Sequence, residues 1–321
     1  MTSAILTDGL MHRYGQRTAL CDLSFSVGHG EVVALLGPNG SGKSTLAKIL
    51  STLLPPTAGR ASICGHCVVR ESAAVRRRIG VTFQSPSIDV KLTLEENLHY
   101  HGRMYGLHGA ALRTRVDESL AEFDLADRRR ERAEVLSGGL RRRLEIAKAL
   151  LHQPDMLLLD EPSTGLDPRA RRALIELLDR RRARSGTTCL LATHLMDEAQ
   201  ACDRVAILDQ GRLVAMDTPS NLCRAVGGEV VTVHPCRTDT AAGGGDAERL
   251  RAAIAERFSV AAAQVAGVIR IEREDGHAFA ARMAEAFGER VESISVGRPT
   301  LEDVFVRLTG HRFEDDGDVG T

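Results

Sequence analysis

The chain has 321 residues, 43% of them hydrophobic, which provides for a sizeable core and excludes global disorder. Lys and Arg number 42 against 43 Asp and Glu, a formal net charge of −1. That balance gives no general reason to bind nucleic acid, and 3% aromatic content without Trp argues against a base-stacking platform.

The start, "MTSAILTDGLMHRYG", lacks a basic stretch followed by an apolar one, so no signal peptide is expected. The apolar runs "VVALLG" and "MLLLD" fall far short of the roughly 18–20 residues of a membrane helix. A cytoplasmic chain with reduced thiols is the expectation, and seven scattered Cys fit it. "CGHC" (Cys64 to Cys67) matches the spacing of a redox motif, but it sits in a strand and turn with no helix start to stabilise a thiolate. Two half-buried thiols in a hairpin are expected instead, and no second ligand pair supports zinc.

In chain order, "ALCDLSFSVGHGE" alternates as a half-buried strand does and ends in a Gly turn. "EVVALLG" is a continuous apolar run, the pattern of a fully buried strand. "GPNGSGKST" follows, then "LAKILSTLL", apolar at helical spacing. From about Glu95 to Glu134 the pattern is helical, with Leu112, Val116, Leu120 and Phe123 on one stripe. His99 and His101 in "HYHG" do not face each other on a helix and read as polar surface. The Arg runs 76–78, 141–143 and 180–182, each near acidic residues, read as solvated helix faces. "MLLLD" is then a buried strand, "PRARRALIELLDRRRA" a helix, "TTCLLATH" a strand, "MDEAQACD" a helix and "RVAILDQGRLVAMD" a hairpin. Beyond Gly227 the style changes to a strand, a glycine-rich loop "TDTAAGGGD", a helix, a strand, a helix, a strand and a last helix. The predicted organisation is an α/β domain over 1–227 with a helical subdomain inserted at about 85–150. A small α+β accessory domain over 228–310 and an acidic, disordered tail over 311–321 complete it.

"GPNGSGKST" fits the phosphate-loop pattern at Gly37, Gly42, Lys43 and Ser44, between a strand and a helix as that loop requires. Glycines let Gly37, Pro38, Asn39, Gly40, Ser41 and Gly42 curl so that backbone N–H groups face phosphates, with Thr45 in the helix start that points at them. Lys43 reaches the β- and γ-phosphates and the Ser44 hydroxyl suits Mg²⁺. Asp160 and Glu161, ending the buried strand "MLLLD", sit where ligands bind in open parallel sheets. Asp160 is placed to hold Mg²⁺, and Glu161 to orient or deprotonate an attacking water once the backbone turns it.

Taken together, the phosphate loop, "LSGG", "LLLDEP", "STGLD" and "ATH", in that order, resemble the nucleotide-binding subunit of ABC transporters over roughly residues 5–225. The resemblance implies a P-loop NTPase core of the ABC ATPase type that binds and hydrolyses ATP with Mg²⁺. It implies that Tyr14 stacks on adenine, and that Gln84 in "VTFQSP" reaches Mg²⁺ and the attacking water. Ser163 to Asp167 would cross a dimer interface, and His194 would contact the γ-phosphate. Ser137, Gly138 and Gly139 would meet the γ-phosphate bound by a second ATPase subunit, making a head-to-tail homodimer with two ATP molecules. Leu140 departs from the glutamine commonest in that family.

"RPTLEDVFVRLTG", "QSPSIDVKLTLEENLHYHGRMYGL" and "LSGGLRRRLEIAKALLHQPD" resemble drug-resistance (daunorubicin-type) and nodulation-factor export ATPases. The function this implies is the ATPase of a membrane exporter, held at the inner face of the cell membrane by a separate permease. The segment after Gln84 would dock that permease, and no nucleic acid is involved. The alternatives are an importer ATPase, a non-transport ABC ATPase acting on ribosomes or DNA, and a cytosolic P-loop kinase. The kinase has no use for "LSGG" or "STGLD". The non-transport proteins carry a second cassette or a long coiled-coil insertion, and this chain has neither.

Overall fold

The computed structural model describes residues 3–236, 244–265 and 267–313. Its strands are β1 Ile5–Tyr14, β2 Arg17–Val27, β3 Val32–Leu36, β4 Ala58–Ile63, β5 His66–Cys67, β6 Ile79–Thr82, β7 Met156–Asp160, β8 Thr188–Thr193, β9 Arg204–Asp209 and β10 Arg212–Asp217, followed by β11 Glu229–Pro235, β12 Ala263–Val265, β13 Val268–Arg273 and β14 Val291–Gly297. Its helices are α1 Lys43–Leu50, α2 Ser72–Arg78, α3 Leu94–Met104, α4 Gly109–Glu122, α5 Gly138–Leu150, α6 Pro168–Ser185, α7 Met196–Gln200, α8 Pro219–Val226, α9 Gly244–Phe258, α10 Gly276–Phe287 and α11 Leu301–Thr309. They form two compact units, divided between Leu213 and Val214 within β10.

In the first unit a six-stranded sheet runs β10-β9-β3-β8-β7-β6. The β9-β3-β8-β7-β6 pairings are all parallel. Every residue of β3, β7 and β8 is buried, as expected of parallel strands covered on both faces. A second sheet, β2-β1-β4-β5, pairs antiparallel throughout and alternates buried with exposed residues. Phosphate loop and carboxylates thus meet at one end of the parallel sheet, because β3 and β7 both end there.

Helix α3 starts at a capping box: Thr93 Oγ1 accepts from the N–H of Glu96, whose carboxylate accepts from the N–H of Thr93. On α4, Leu112, Val116 and Leu120 are buried, as their spacing predicts, with Phe123 just beyond. The expected helical stretch then gives way to two single 3₁₀ turns, Ala126–Arg128 and Ala133–Val135. No helix among the described residues is long and apolar enough to cross a membrane.

The second unit has the antiparallel sheet β12-β13-β11-β14. Val231 and Val233 of β11, Ile269 and Ile271 of β13, Leu250 and Ile254 of α9, and Phe279 and Met283 of α10 share one core. Thr300 and Asp303 cap α11 reciprocally. Of the glycine-rich stretch expected as a loop, 238–243 lie outside the described residues, whereas Gly244–Asp246 already belong to α9. Of the acidic tail, 314–321 lie outside them.

Three polar expectations are corrected. Arg142 is not on a solvated face, because α5 turns it inward onto Glu145 and backbone carbonyls. Arg181 is 16% exposed and lies 3.1 Å from Glu122, where α6 meets the end of α4. His101 does not face solvent as a polar side chain but packs 4.9 Å from the ring of Tyr105, which stacks on His152 at 3.7 Å. Burial, with Lys148 and His152 nearby, lowers His101 to about 4 from an unfolded value near 6.5. Its neutral-form contribution to stability is therefore complete above about pH 6.5 and is lost as pH falls from there through about 4. His101→Leu is expected to flatten the melting temperature between those limits; an unchanged slope would place the acid sensitivity elsewhere.

Candidate active site

The phosphate loop joins β3 to α1, and two of its glycines are obligatory. A Cβ at Gly37 would lie 2.3 Å from the Leu208 carbonyl oxygen. Gly42 has φ +106, and a Cβ there would meet the Ala19 carbonyl oxygen at 2.6 Å. Lys43 is buried, and its ammonium donates to the carbonyls of Gly37 at 2.7 Å and Pro38 at 2.8 Å. Burial pulls its pKa below the usual lysine range, opposed by the charges of Glu161 and Asp160. The Ser44 hydroxyl donates to Asp160 Oδ1 at 3.2 Å. Asp160 is 2% exposed, and burial pushes its carboxyl above the ordinary range despite that hydrogen bond. Ser41 Oγ is buried with no hydrogen-bond partner among the described residues, a polar atom in want of one.

Alternation alone would turn Glu161 away from Asp160. Instead it adopts φ +48, the left-handed region, costing about 1–2 kcal/mol for a residue with a Cβ. That turn places its carboxylate among three side chains. Gln84 Nε2 lies 3.5 Å away, the Thr164 hydroxyl donates at 3.2 Å, and His194 Nδ1 lies 3.3 Å from Oε1 at ion-pair distance without hydrogen-bond geometry. The turn carrying His194 is fixed by Thr193, whose hydroxyl donates to buried Glu198 at 2.6 Å and accepts the N–H of Leu195.

A cleft of about 500 Å³ opens over this end of the sheet, lined by Tyr14, Asn39, Gly40, Gly42, Lys43, Ser44, Thr45, Gln84 and Glu161. Tyr14 is 46% exposed and packs edge-on against His12 at 4.6 Å, so much of its ring stays open. Arg17, Ala19 and Lys48 also line the cleft and were missed in the sequence; the two cations stand outside the motif pattern, which alone singles out phosphate contacts.

Ser137, Gly138 and Gly139 do not line this cleft. They start α5, with Ser137 and Gly138 exposed and Gly139 half-buried, and Ser137 Oγ accepts the N–H of Leu140 at 3.4 Å. Nothing lies within 4 Å of a Cβ built at Gly138. Leu140 is half-buried above buried Leu144, Ala147 and Leu151. The seven Cys are free thiols, with Cys64 and Cys67 half-buried at the β4–β5 hairpin.

Comparison with known proteins places the chain in a family. The family described as ABC transporter matches residues 20–164. The daunorubicin resistance ATP-binding protein DrrA3 of Streptomyces coeruleorubidus is 40% identical over 96% of each chain. The Nod factor export ATP-binding protein I of Ralstonia nicotianae is 36% identical over 98% of this chain and 96% of its own. Among solved structures, the dimeric post-hydrolysis state of the ATP-binding cassette MJ0796 bound to ADP and Pi superposes with a TM-score of 0.62. It is 27% identical and covers 67% of this chain and 98% of its own.

Proposed function

Since this chain belongs to the ABC transporter ATP-binding family and is an ATPase that powers an exporter, we propose that its two glycine motifs grip ATP from opposite sides across a pair of chains. The observation that carries this reading is the separation of the motifs within one chain. The phosphate loop closes one wall of the cleft, while Ser137–Gly139 offer a free helix start elsewhere on the surface. A helix start with N–H groups to spare favours an anion. A cassette of the same fold is described as dimeric and bound to ADP and Pi, which supports two chains per assembly. A homodimer is the simplest form, each chain supplying one motif of each kind.

Within the cleft, we assign adenine stacking to Tyr14 and phosphate binding to the loop from Gly37 to Thr45, with the Ser41 hydroxyl a donor in wait. The Lys43 ammonium leaves the carbonyls of Gly37 and Pro38 for the β- and γ-phosphates. The oxygens of Ser44 and Asp160, 3.2 Å apart, would hold a Mg²⁺ ion, with Gln84 as a third residue within reach of it. Such an ion would neutralise charge on the phosphates. Glu161 takes the proton of the attacking water, and His194 and Gln84 orient carboxylate and water.

The exporter reading extends to cargo and site of action. The relatives named for daunorubicin resistance and Nod factor export support the export of a drug or similar cargo, and nothing favours the importer alternative. A separate permease would hold the chain at the inner face of the membrane. The exposed Tyr100 and Met104 on α3, after Gln84, form the docking side. Lys43→Ala tests the core of this reading. ATP affinity measured by titration calorimetry should fall about a hundredfold or more, through loss of a desolvated cation at the phosphates. Affinity within about threefold of the unaltered chain would remove the phosphate loop from ATP binding.

A further inference from the structure

Arg142 stands one helical turn past Gly139, and its side chain is 10% exposed. One guanidinium donates to four acceptors from separate places: the carbonyls of Pro162 at 2.7 Å, Phe83 at 3.0 Å and Asp160 at 3.2 Å, and the Glu145 carboxylate at 2.7 Å. Two of those carbonyls flank Glu161. A residue held at φ +48 reverts to ordinary backbone unless its surroundings fix it, and here the residues on both sides are held by one planar group. The third carbonyl belongs to Phe83, next to Gln84. Glu145 accepts the N–H of Ser87 at 2.8 Å with its other oxygen, and Lys148 donates to Ser87 Oγ at 2.8 Å. Residues 142, 145 and 148, on one face of α5, thus grip both ends of the Gln84 loop and both sides of Glu161.

A buried ion pair gains little net stability over apolar residues of similar size. What this one supplies is geometry. We propose that Arg142, with Glu145 as its counter-charge, is a positioning residue for ATP hydrolysis. It holds Glu161 in its left-handed turn and Gln84 against it, and neither partner touches the nucleotide. The inference rests on the reading of Glu161 and Gln84 as the groups that act on water.

The test uses the full chain. Removing one partner alone strands a buried charge, so the main variant is Arg142→Met/Glu145→Met, similar in volume and neutral. Its melting temperature and ATP affinity should stay near those of the unaltered chain while kcat falls about a hundredfold, the cost of slight misplacement at the reacting centre. Added to Glu161→Gln, it should lower kcat by much less than it does alone, because most of the effect passes through Glu161 and only the share carried by Gln84 remains. A folded double variant with kcat within about threefold of normal overturns the proposal. So does a loss on top of Glu161→Gln as large as the double variant shows by itself. Should the double variant fail to fold, Arg142→Lys keeps the charge but cannot fork to three carbonyls. A drop in kcat of about tenfold at unchanged ATP affinity then supports the proposal, and normal kcat overturns it. The unaltered chain and Lys43→Ala separate the two readings: without ATP turnover by the former, the assigned reaction fails first.

Discussion

Glu161→Gln is expected to bind ATP as well as the unaltered chain, or better, and to turn it over roughly 10²–10³-fold more slowly. The amide is isosteric and tolerates the left-handed turn as Glu does, so the contacts with Thr164 and Gln84 can persist. It cannot accept a proton at the pH of the reaction. Binding survives because the carboxylate stands among the charges acting on Lys43 at the phosphate end of the cleft. Removing that negative charge lessens repulsion of the triphosphate and leaves the Lys43 ammonium to the phosphates. Single-turnover release of phosphate, with ATP affinity from equilibrium titration, separates the two effects. Turnover within about threefold of normal would take the proton-accepting role from Glu161 and leave it a structural turn.

Asp160→Asn should divide stability from activity at the neighbouring position. Burial penalises the charged Asp160 carboxylate in the folded chain, so a neutral amide of the same shape should raise the melting temperature without nucleotide. Turnover should fall about a hundredfold or more as the hard anionic ligand is lost. A lowered melting temperature would mean that attraction to Lys43 outweighs the burial of charge.

How much of this was open to sequence reading depended on how local each feature is. The phosphate loop is a contiguous string, so its glycines, Lys43 and Ser44 could be placed from spacing alone. The pair Asp160 and Glu161 could be placed at the end of a buried strand, but alternation gave them opposite directions. Only the φ of Glu161 shows how they converge. Arg142 was misread for the opposite reason. In "LRRRLE" it is one cation among three, and its acceptors come from residues 83, 160 and 162, far off in the chain. The opposite charge at Glu145, three residues on and beside buried Leu144 and Ile146, was the one local signal available. His101 was misread in the same way, since its packing needs Tyr105 and also His152 from beyond α5. Short α8, which begins within "TPS", fell below the length at which periodicity speaks, although Thr218 caps it and Pro219 opens it as local rules allow.

The proposed two-chain site predicts a result that no single-chain reading shares. Lys43→Ala spoils the phosphate loop and leaves Ser137–Gly139 intact. Gly138→Asp does the reverse, and the structure favours it as a clean lesion. Nothing lies within 4 Å of the new Cβ, and an acidic residue in the first turn of α5 stabilises that helix. The same carboxylate would face the partner's γ-phosphate and repel it. Each variant alone should be nearly inactive, because every site in its dimer carries the same defect. In a mixed pair, one site combines both lesions and the other combines neither. Random mixing makes about half of the dimers mixed, each with one sound site, so the mixture should regain about a quarter of normal turnover if the sites act independently. Were the Gly138 helix start to serve its own chain's nucleotide, both variants would stay dead in any mixture. Turnover against mixing ratio distinguishes the cases further. It should peak at equal amounts and vanish at either end, as the abundance of mixed pairs does. A rise in proportion to one variant would instead report residual activity of that variant, and with it the loss of the shared site.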